Sequence, residues 1–135
     1  MAANETLEVA VAKLGIGHYH RHVFLCLGPT CCLEPIGLAA WEALKVELKN
    51  SGLGNACQRT KAGCLRVCVA GPTLVVYPEG TWYHGMTADR MPRFVREHIV
   101  GGAPIEEWIF ARNPLPHEAP TAEAPTTGCQ PPLPR

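Results

Sequence analysis

The sequence predicts one small α/β domain, a mixed β-sheet flanked by helices, followed by a disordered Pro-rich tail. Three observations carry that expectation. The chain has 135 residues, the length of a single domain. Its middle part alternates short β-rich runs with amphipathic stretches of helical period, which asks for a layer of sheet covered by helix. After Asn113 the composition breaks: seven of the 22 residues from Pro114 to Arg135 are proline, and no periodic apolar pattern survives. The domain is accordingly placed at 21–112, between an N-terminal extension, 1–20, of unassigned structure and a tail, 113–135.

The elements follow in order. In the extension, Leu7, Val9 and Val11 alternate as in a strand, while Leu7, Ala10 and Leu14 suit a helix, so both remain open. His22-Val23-Phe24-Leu25-Cys26 is a short β-rich run stopped by Gly28-Pro29. Leu38, Trp41, Leu44 and Leu48 recur every three or four residues and predict an amphipathic helix from Pro35 to Asn50, ended by Ser51-Gly52. A weaker strand is expected around Cys57 to Lys61, then a glycine-bounded loop, Gly63 to Gly71. Leu74-Val75-Val76-Tyr77 and Thr81-Trp82-Tyr83 flank Pro78-Glu79-Gly80 and read as a hairpin. Thr87 is a candidate cap for a second helix whose apolar stripe is Met91, Phe94, Val95, His98 and Ile99, ended by Gly101-Gly102. A last turn carries Ile105, Trp108 and Ile109. Strand, helix, strand, loop, hairpin, helix is compatible with a thioredoxin-like layout.

Charge and composition exclude several functions. Lys plus Arg and Asp plus Glu are 12 each, so the formal charge is zero, which argues against a basic nucleic-acid-binding or membrane-binding surface. Met1 to Lys13 has no basic start and no apolar run of signal length, so a cytoplasmic location is expected. There thiols stay reduced, and clustered cysteines point to metal or redox chemistry rather than to disulfides. No glycine-rich phosphate loop, dinucleotide fingerprint or Ser/His/Asp arrangement stands out, so no enzymatic activity is expected.

Seven cysteines are present, six of them between residues 26 and 68. Cys26 ends the first strand, and Cys31 and Cys32 follow in one loop before the first helix. Cys64 and Cys68 occupy the loop before the hairpin. Two such loops at equivalent ends of strands can converge, and four thiolates around one point are the ligand set of an iron–sulfur cluster or of tetrahedral zinc. None of the spacings is a Cys-x2-Cys knuckle or a dithiol redox pair. Wider loops suit a larger object than one ion. Leu25, Leu27, Leu65, Val67, Val69 and Ala70 offer apolar shielding, and Gly28, Gly63 and Gly71 offer close backbone approach with amides free for sulfur.

These stretches resemble a known family. His22-Val23-Phe24-Leu25-Cys26, Gly63-Cys64-Leu65-Arg66-Val67-Cys68, the segment from Gly71-Pro72 through Val76-Tyr77-Pro78-Glu79-Gly80-Thr81-Trp82-Tyr83, and His98 through Trp108 look like the thioredoxin-like [2Fe-2S] ferredoxins. The resemblance covers 21–112. It implies a thioredoxin-like α/β fold, one [2Fe-2S] cluster per chain, one-electron transfer between a reductase and an acceptor enzyme, and a homodimer. It implies Cys26 as first ligand and Cys64 and Cys68 as third and fourth. For the second, Cys-x4-Cys spacing selects Cys31, whereas helix register selects Cys32, because large apolar residues expected nine and twelve positions later fall on Trp41 and Leu44. Cys32 is therefore taken, with Cys31 as the alternative. A different role for the same cluster, in redox sensing or as an assembly or partner-binding module, is the competing reading.

The remaining candidates have plainer readings. His18, His20 and His22 alternate as a metal tract could, or are simply exposed. Trp82 and Tyr83 pack on the sheet or on a dimer mate, or guide an electron. Arg66 lies between two ligands, and either tunes the potential, meets an acidic partner or is a solvated charge. Arg90, Arg93 and Arg96 form a solvated face, Cys57 is a core thiol, and Cys129 is an incidental thiol of the tail.

Overall fold

The structure is a computed structural model that describes residues 6–29 and 31–115. Most of the predicted tail, with Cys129, lies outside the described residues. The elements are α1 (Leu7–Leu14), β1 (Arg21–Cys26), α2 (Glu34–Asn50), β2 (Cys57–Ala62), β3 (Leu74–Tyr77), β4 (Thr81–Tyr83), a helical segment over 88–100, and β5 (Ile109–Arg112). The sheet has five strands in the order β2-β1-β3-β4-β5.

One pairing positions everything that follows. β1 runs parallel to β2, from Arg21 opposite Cys57 to Cys26 opposite Ala62. Both strands therefore end at the same edge of the sheet, and each runs directly into a cysteine-bearing loop. β3 returns antiparallel to β1, with Leu25 opposite Leu74, so the loop that joins β2 to β3 begins and ends at that edge too.

The core lies on one face of the sheet. Val23, Leu25, Leu74, Val76 and Tyr83 meet Ala40, Trp41, Leu44 and Leu48 of α2 and Met91, Phe94, Val95 and Ile99 of the 88–100 helix. Packing one sheet face under two helices is what the alternating strands and helical stripes anticipate. The α2 stripe departs from the sequence expectation at its first position: Gly37 is buried, while Leu38 is 43% exposed. Trp41, Leu44 and Leu48 are buried as the periodicity expects; only Leu38 departs, because Gly37, which gives no apolar signal, is turned inward against the Leu27 backbone.

The remaining departures are local. The extension adopts the helical alternative; the Thr6 side chain caps α1 by accepting from the Val9 amide. It is held from outside the core, where Asn55 Nδ2 and Gln58 Nε2 donate to the carbonyls of Lys13 and Leu14, each at 2.7 Å. The second helix is not uniform. It is a 3-10 turn (Ala88–Arg90), an α turn (Met91–Phe94) and a π stretch (Val95–Val100). Thr87 occupies the cap position but does not bond a helix amide; its hydroxyl donates to Asp89 and holds that carboxyl below its usual range. The expected last turn is followed by a strand, β5, which pairs with β4 across an irregularity at Trp82/Tyr83. Beyond it, Asn113 and Leu115 donate to the carbonyls of Gly80 and Pro78 at 2.7 and 2.9 Å, so backbone bonding to the hairpin turn continues past Arg112.

Candidate metal centre

The structure brings the cysteines to the sheet edge defined by β1 and β2. Cys26, the last residue of β1, is fully buried. Cys31 is 7% exposed, Cys32 is half-buried, and Cys64 and Cys68 are exposed. The site thus grades from the protein interior to its surface.

The sulfurs form two groups. In the first loop, Cys26 Sγ stands 2.7 Å from Cys31 Sγ, and Cys31 Sγ stands 3.7 Å from Cys32 Sγ. In the second, Cys64 Sγ and Cys68 Sγ are 4.0 Å apart. Two thiolates at about 2.3 Å from one tetrahedral metal stand roughly 3.8 Å apart. The Cys64–Cys68 and Cys31–Cys32 separations match that spacing, whereas Cys26–Cys31 is tighter. Burial, with further contributions from Cys26 and Cys32, pushes the Cys31 thiol up to about 12.

The two loops are tied to each other. The Gly71 amide donates to the Cys31 carbonyl at 3.0 Å. A Cβ on Gly71 would lie 2.6 Å from that oxygen, so any larger residue would push the loops apart. Gly28 does the same within the first loop: its φ is +88°, and a Cβ there would meet the Cys32 carbonyl oxygen at 2.3 Å. These are two of the three glycines that sequence reasoning assigned to close approach; nothing lies near the third, Gly63. The amide that reaches sulfur comes from elsewhere. Arg66, with φ +73°, turns its N–H to Cys64 Sγ at 3.2 Å.

Soft thiolate donors, a backbone N–H on sulfur and loops of low polarity fit an iron–sulfur group. Among the described residues, no group of three or more His, Cys, Asp or Glu side chains is gathered to hold a single metal ion. Three cysteines in one loop and two in the other can supply the two thiolates per iron that a two-iron cluster requires of the protein. Apolar shielding is one-sided: Leu25 is buried and Leu27, Leu65 and Val67 are half-buried, but Val69 is 69% exposed and Ala70 is exposed too.

Comparison with known proteins agrees with this chemistry. No family model matches the chain. A 2Fe-2S ferredoxin of Clostridium pasteurianum is 30% identical over 93 residues, 64% of this chain and 91% of the relative. A 2Fe-2S ferredoxin of Aquifex aeolicus is 35% identical over 57 residues, 42% of this chain and about half, 51%, of that relative. The structure of a thioredoxin-like [2Fe-2S] ferredoxin from Aquifex aeolicus superposes with a TM-score of 0.63 at 26% identity, covering 75% of this chain and 99% of that one. The chain belongs to the thioredoxin-like [2Fe-2S] ferredoxin family. The family consists of iron–sulfur electron carriers, and its fold is the one found here. Two further Aquifex ferredoxin structures are cysteine-to-serine variants at positions four residues apart, the separation of Cys64 and Cys68 in this chain.

In this ferredoxin the other sequence candidates take structural roles. His22 stacks on Phe24 with ring centroids 4.4 Å apart, and its Nε2 sits 2.7 Å from Thr60 Oγ1. Desolvation lowers its pKa. His18 and His20 are exposed, and the three histidines do not gather into a metal site. Tyr83 is in the core and Trp82 packs edge-on against Phe110. Arg90 and Arg93 place their guanidinium groups 4.7 and 4.9 Å from the Trp108 ring centroid, so that face is stacked rather than merely solvated. Cys57 is a buried thiol, pushed up to about 11 chiefly by desolvation.

A polar network that runs from Tyr83 beneath the 88–100 helix to Glu79 and Arg21 at the opposite end of the sheet was not anticipated. The Ile105 amide donates to Tyr83 Oη at 3.1 Å, and Tyr83 Oη is 2.6 Å from His98 Nδ1. The hydroxyl then donates to His98 Nδ1, which leaves Nε2–H to donate to Glu79 at 3.2 Å. Arg21 closes the chain, donating to Glu79 at 2.6 Å and to the Ile99 carbonyl at 3.1 Å. Burial holds His98 below its ordinary range against the pull of Glu79. Burial favours a protonated Glu79, but the hydrogen bonds from Arg21 and its own backbone outweigh it and hold the carboxyl low. Only the apolar neighbours in the stripe make His98 look like an ordinary helix residue in the sequence; its partners come from β1, the hairpin and β4.

Proposed function

We propose that this ferredoxin carries one electron at a time between a reductase and an acceptor enzyme, through a single [2Fe-2S] cluster held by Cys26, Cys32, Cys64 and Cys68. Cys31 is the alternative to Cys32. The observation that carries the reading is the bond between the two cysteine loops, Gly71 N–H to the Cys31 carbonyl, which joins residues forty apart at one edge of the sheet. The register of α2 favours Cys32, because Trp41 and Leu44, nine and twelve residues on, are both buried. The contact of Cys31 with Cys26 favours Cys31 and makes the pair of serine variants decisive.

When bound, such a cluster supplies a reversible one-electron couple without proton transfer. The chain's part is to hold it. Cys26 fixes the inner side through a β-strand that cannot shift without breaking pairing on both edges. Cys64 and Cys68 would hold the cluster from a loop open to solvent, where a partner can approach. The Arg66 amide withdraws charge from Cys64 Sγ, which stabilises the reduced form. The functional unit proposed is the domain at 21–112, in a cytoplasmic protein that forms a homodimer. No helix among the described residues is long and apolar enough to cross a membrane.

An anaerobic reductive titration tests the reading. One electron per chain, with loss of the visible absorption of the oxidised cluster and a reduced-state EPR signal, is expected. Uptake of two electrons by a colourless protein, with two new thiols titrating, would refute it in favour of dithiol chemistry.

A further inference from the structure

The edge of the molecule that carries the cysteine loops presents exposed cations. Arg59 and Lys61 stand exposed on β2, with their charged ends 5.4 and 6.0 Å from the Trp41 ring centroid. Lys61 is opposite Leu25 in the β1–β2 ladder, one residue before the Cys26–Ala62 pair. Arg66 lies exposed between Cys64 and Cys68. None of these three cations is paired with a carboxylate among the described residues. Elsewhere several acids are matched: Glu79 with Arg21, Glu97 with Arg93 and Arg96, Glu107 with Arg93, and Glu106 with Arg112. Lys61 and Arg66 thus stand beside the cysteine loops without a carboxylate to compensate them. Glu34, the first residue of α2, is the carboxylate nearest in sequence to the first cysteine loop, and Glu42 is paired with Lys45.

Apolar side chains are exposed at the same edge. Leu33 and Ile36 flank the start of α2 at 68% and 40% exposure, and Val69 adjoins Cys68 at 69%. An apolar centre bordered by charge is the anatomy of a protein docking surface, not of an isolated solvated loop.

We propose that this edge docks redox partner proteins whose contact surface is acidic around an apolar centre, with Arg59, Lys61 and Arg66 steering the encounter. The proposal rests on the ferredoxin reading, since it supposes that electrons leave through the exposed cysteine loop. Long-range attraction of this kind raises association rates and is removed by salt.

The test compares holoprotein of verified iron and sulfide content in three forms: wild type, the Arg59→Glu/Lys61→Glu variant, and the Arg96→Glu/Arg112→Glu variant. The last has the same formal charge change at the far end. Oxidation of the reduced protein is followed at 10 and 500 mM ionic strength. Hexacyanoferrate(III) is the anionic probe, and a neutral benzoquinone, with and without poly-L-glutamate, is the second. The low-salt to high-salt rate ratio for the anion is expected to fall several-fold in Arg59→Glu/Lys61→Glu and to change little in Arg96→Glu/Arg112→Glu. Poly-L-glutamate is expected to slow quinone oxidation of wild type at low salt only, and not to slow that of Arg59→Glu/Lys61→Glu. Equal ratios in all three forms, or protection by poly-L-glutamate that ignores the β2 charges, would overturn the docking proposal and leave the ferredoxin reading standing. Protein that takes up no iron and sulfide would overturn both.

Discussion

The two edges of the sheet hold comparable amounts of polar chemistry and treat it in opposite ways. In the network that ends at the far edge, Tyr83, His98, Glu79 and Arg21 bond one another in a chain, with Glu79 Oε1 the atom left without a partner. At the cysteine edge the sulfurs face mainly one another, two of the five residues are exposed, and the backbone adopts left-handed conformations at Arg66 and Ala70. Closed networks of the first kind specify a fold. An arrangement of the second kind holds its backbone under strain at Arg66 and Ala70, which is common at sites that bind a group. The difference is visible only with both edges in view, because each is built on the same strands.

Breaking the cysteine edge should have the largest effect. Cys26→Ser or Cys64→Ser is expected to remove most of the cluster, read as iron and sulfide per chain and as loss of the reduced-state EPR signal. The far edge should tolerate both changes, with far-ultraviolet circular dichroism unchanged. Cys32→Ser is expected to damage the cluster more than Cys31→Ser; the opposite order would assign Cys31 as the second ligand and discard the α2-register argument.

Tyr83→Phe reverses the contrast. It strands the Ile105 amide and His98 Nδ1 in the core, and should cost about 1–3 kcal/mol in denaturant unfolding while leaving the cluster signal intact. An altered EPR spectrum would show that the edges are coupled.

The pH dependence sharpens it further. His98 is held below its ordinary value of 6.5 in the fold, so the unfolded chain binds its proton first as pH falls. Its contribution to stability is complete above about pH 6.5 and is lost progressively below. Thermal midpoints should therefore decline from pH 7 to pH 5, and His98→Gln should flatten part of that decline. His22, lowered in the same direction, retains the remainder. A decline unchanged in His98→Gln would place the titration elsewhere. The smallest effect is expected from Arg66→Ala. It keeps the amide that bonds Cys64 Sγ, and should leave cluster content unchanged and stability within about 0.5 kcal/mol.

Much of this was legible in the sequence, for reasons that differ by element. The hairpin, β1 and both helices carry side-chain periodicity that burial imposes, and they lie where the pattern places them. β5 was missed because Ile109-Phe110-Ala111-Arg112 is short, follows a 3-10 turn and pairs irregularly, so no period-two signal develops. The inward turn at Gly37 in place of Leu38 leaves no trace in the sequence, because Gly37 has no apolar side chain. The cysteines announced the centre by number and position, but the parallel register of β1 and β2 that brings their loops to one edge is a tertiary fact. The far network was invisible because its members are separated by up to 77 positions, from Arg21 to His98, with no local motif.

The account depends most on the two cysteine loops jointly binding one pair of sulfide-bridged irons. Iron and acid-labile sulfide analysis of anaerobically purified protein, with EPR of the reduced form, tests this directly. Two irons and two sulfides per chain, with a spin-one-half signal on reduction, are expected. Zinc in place of iron, or iron without labile sulfide, would contradict it.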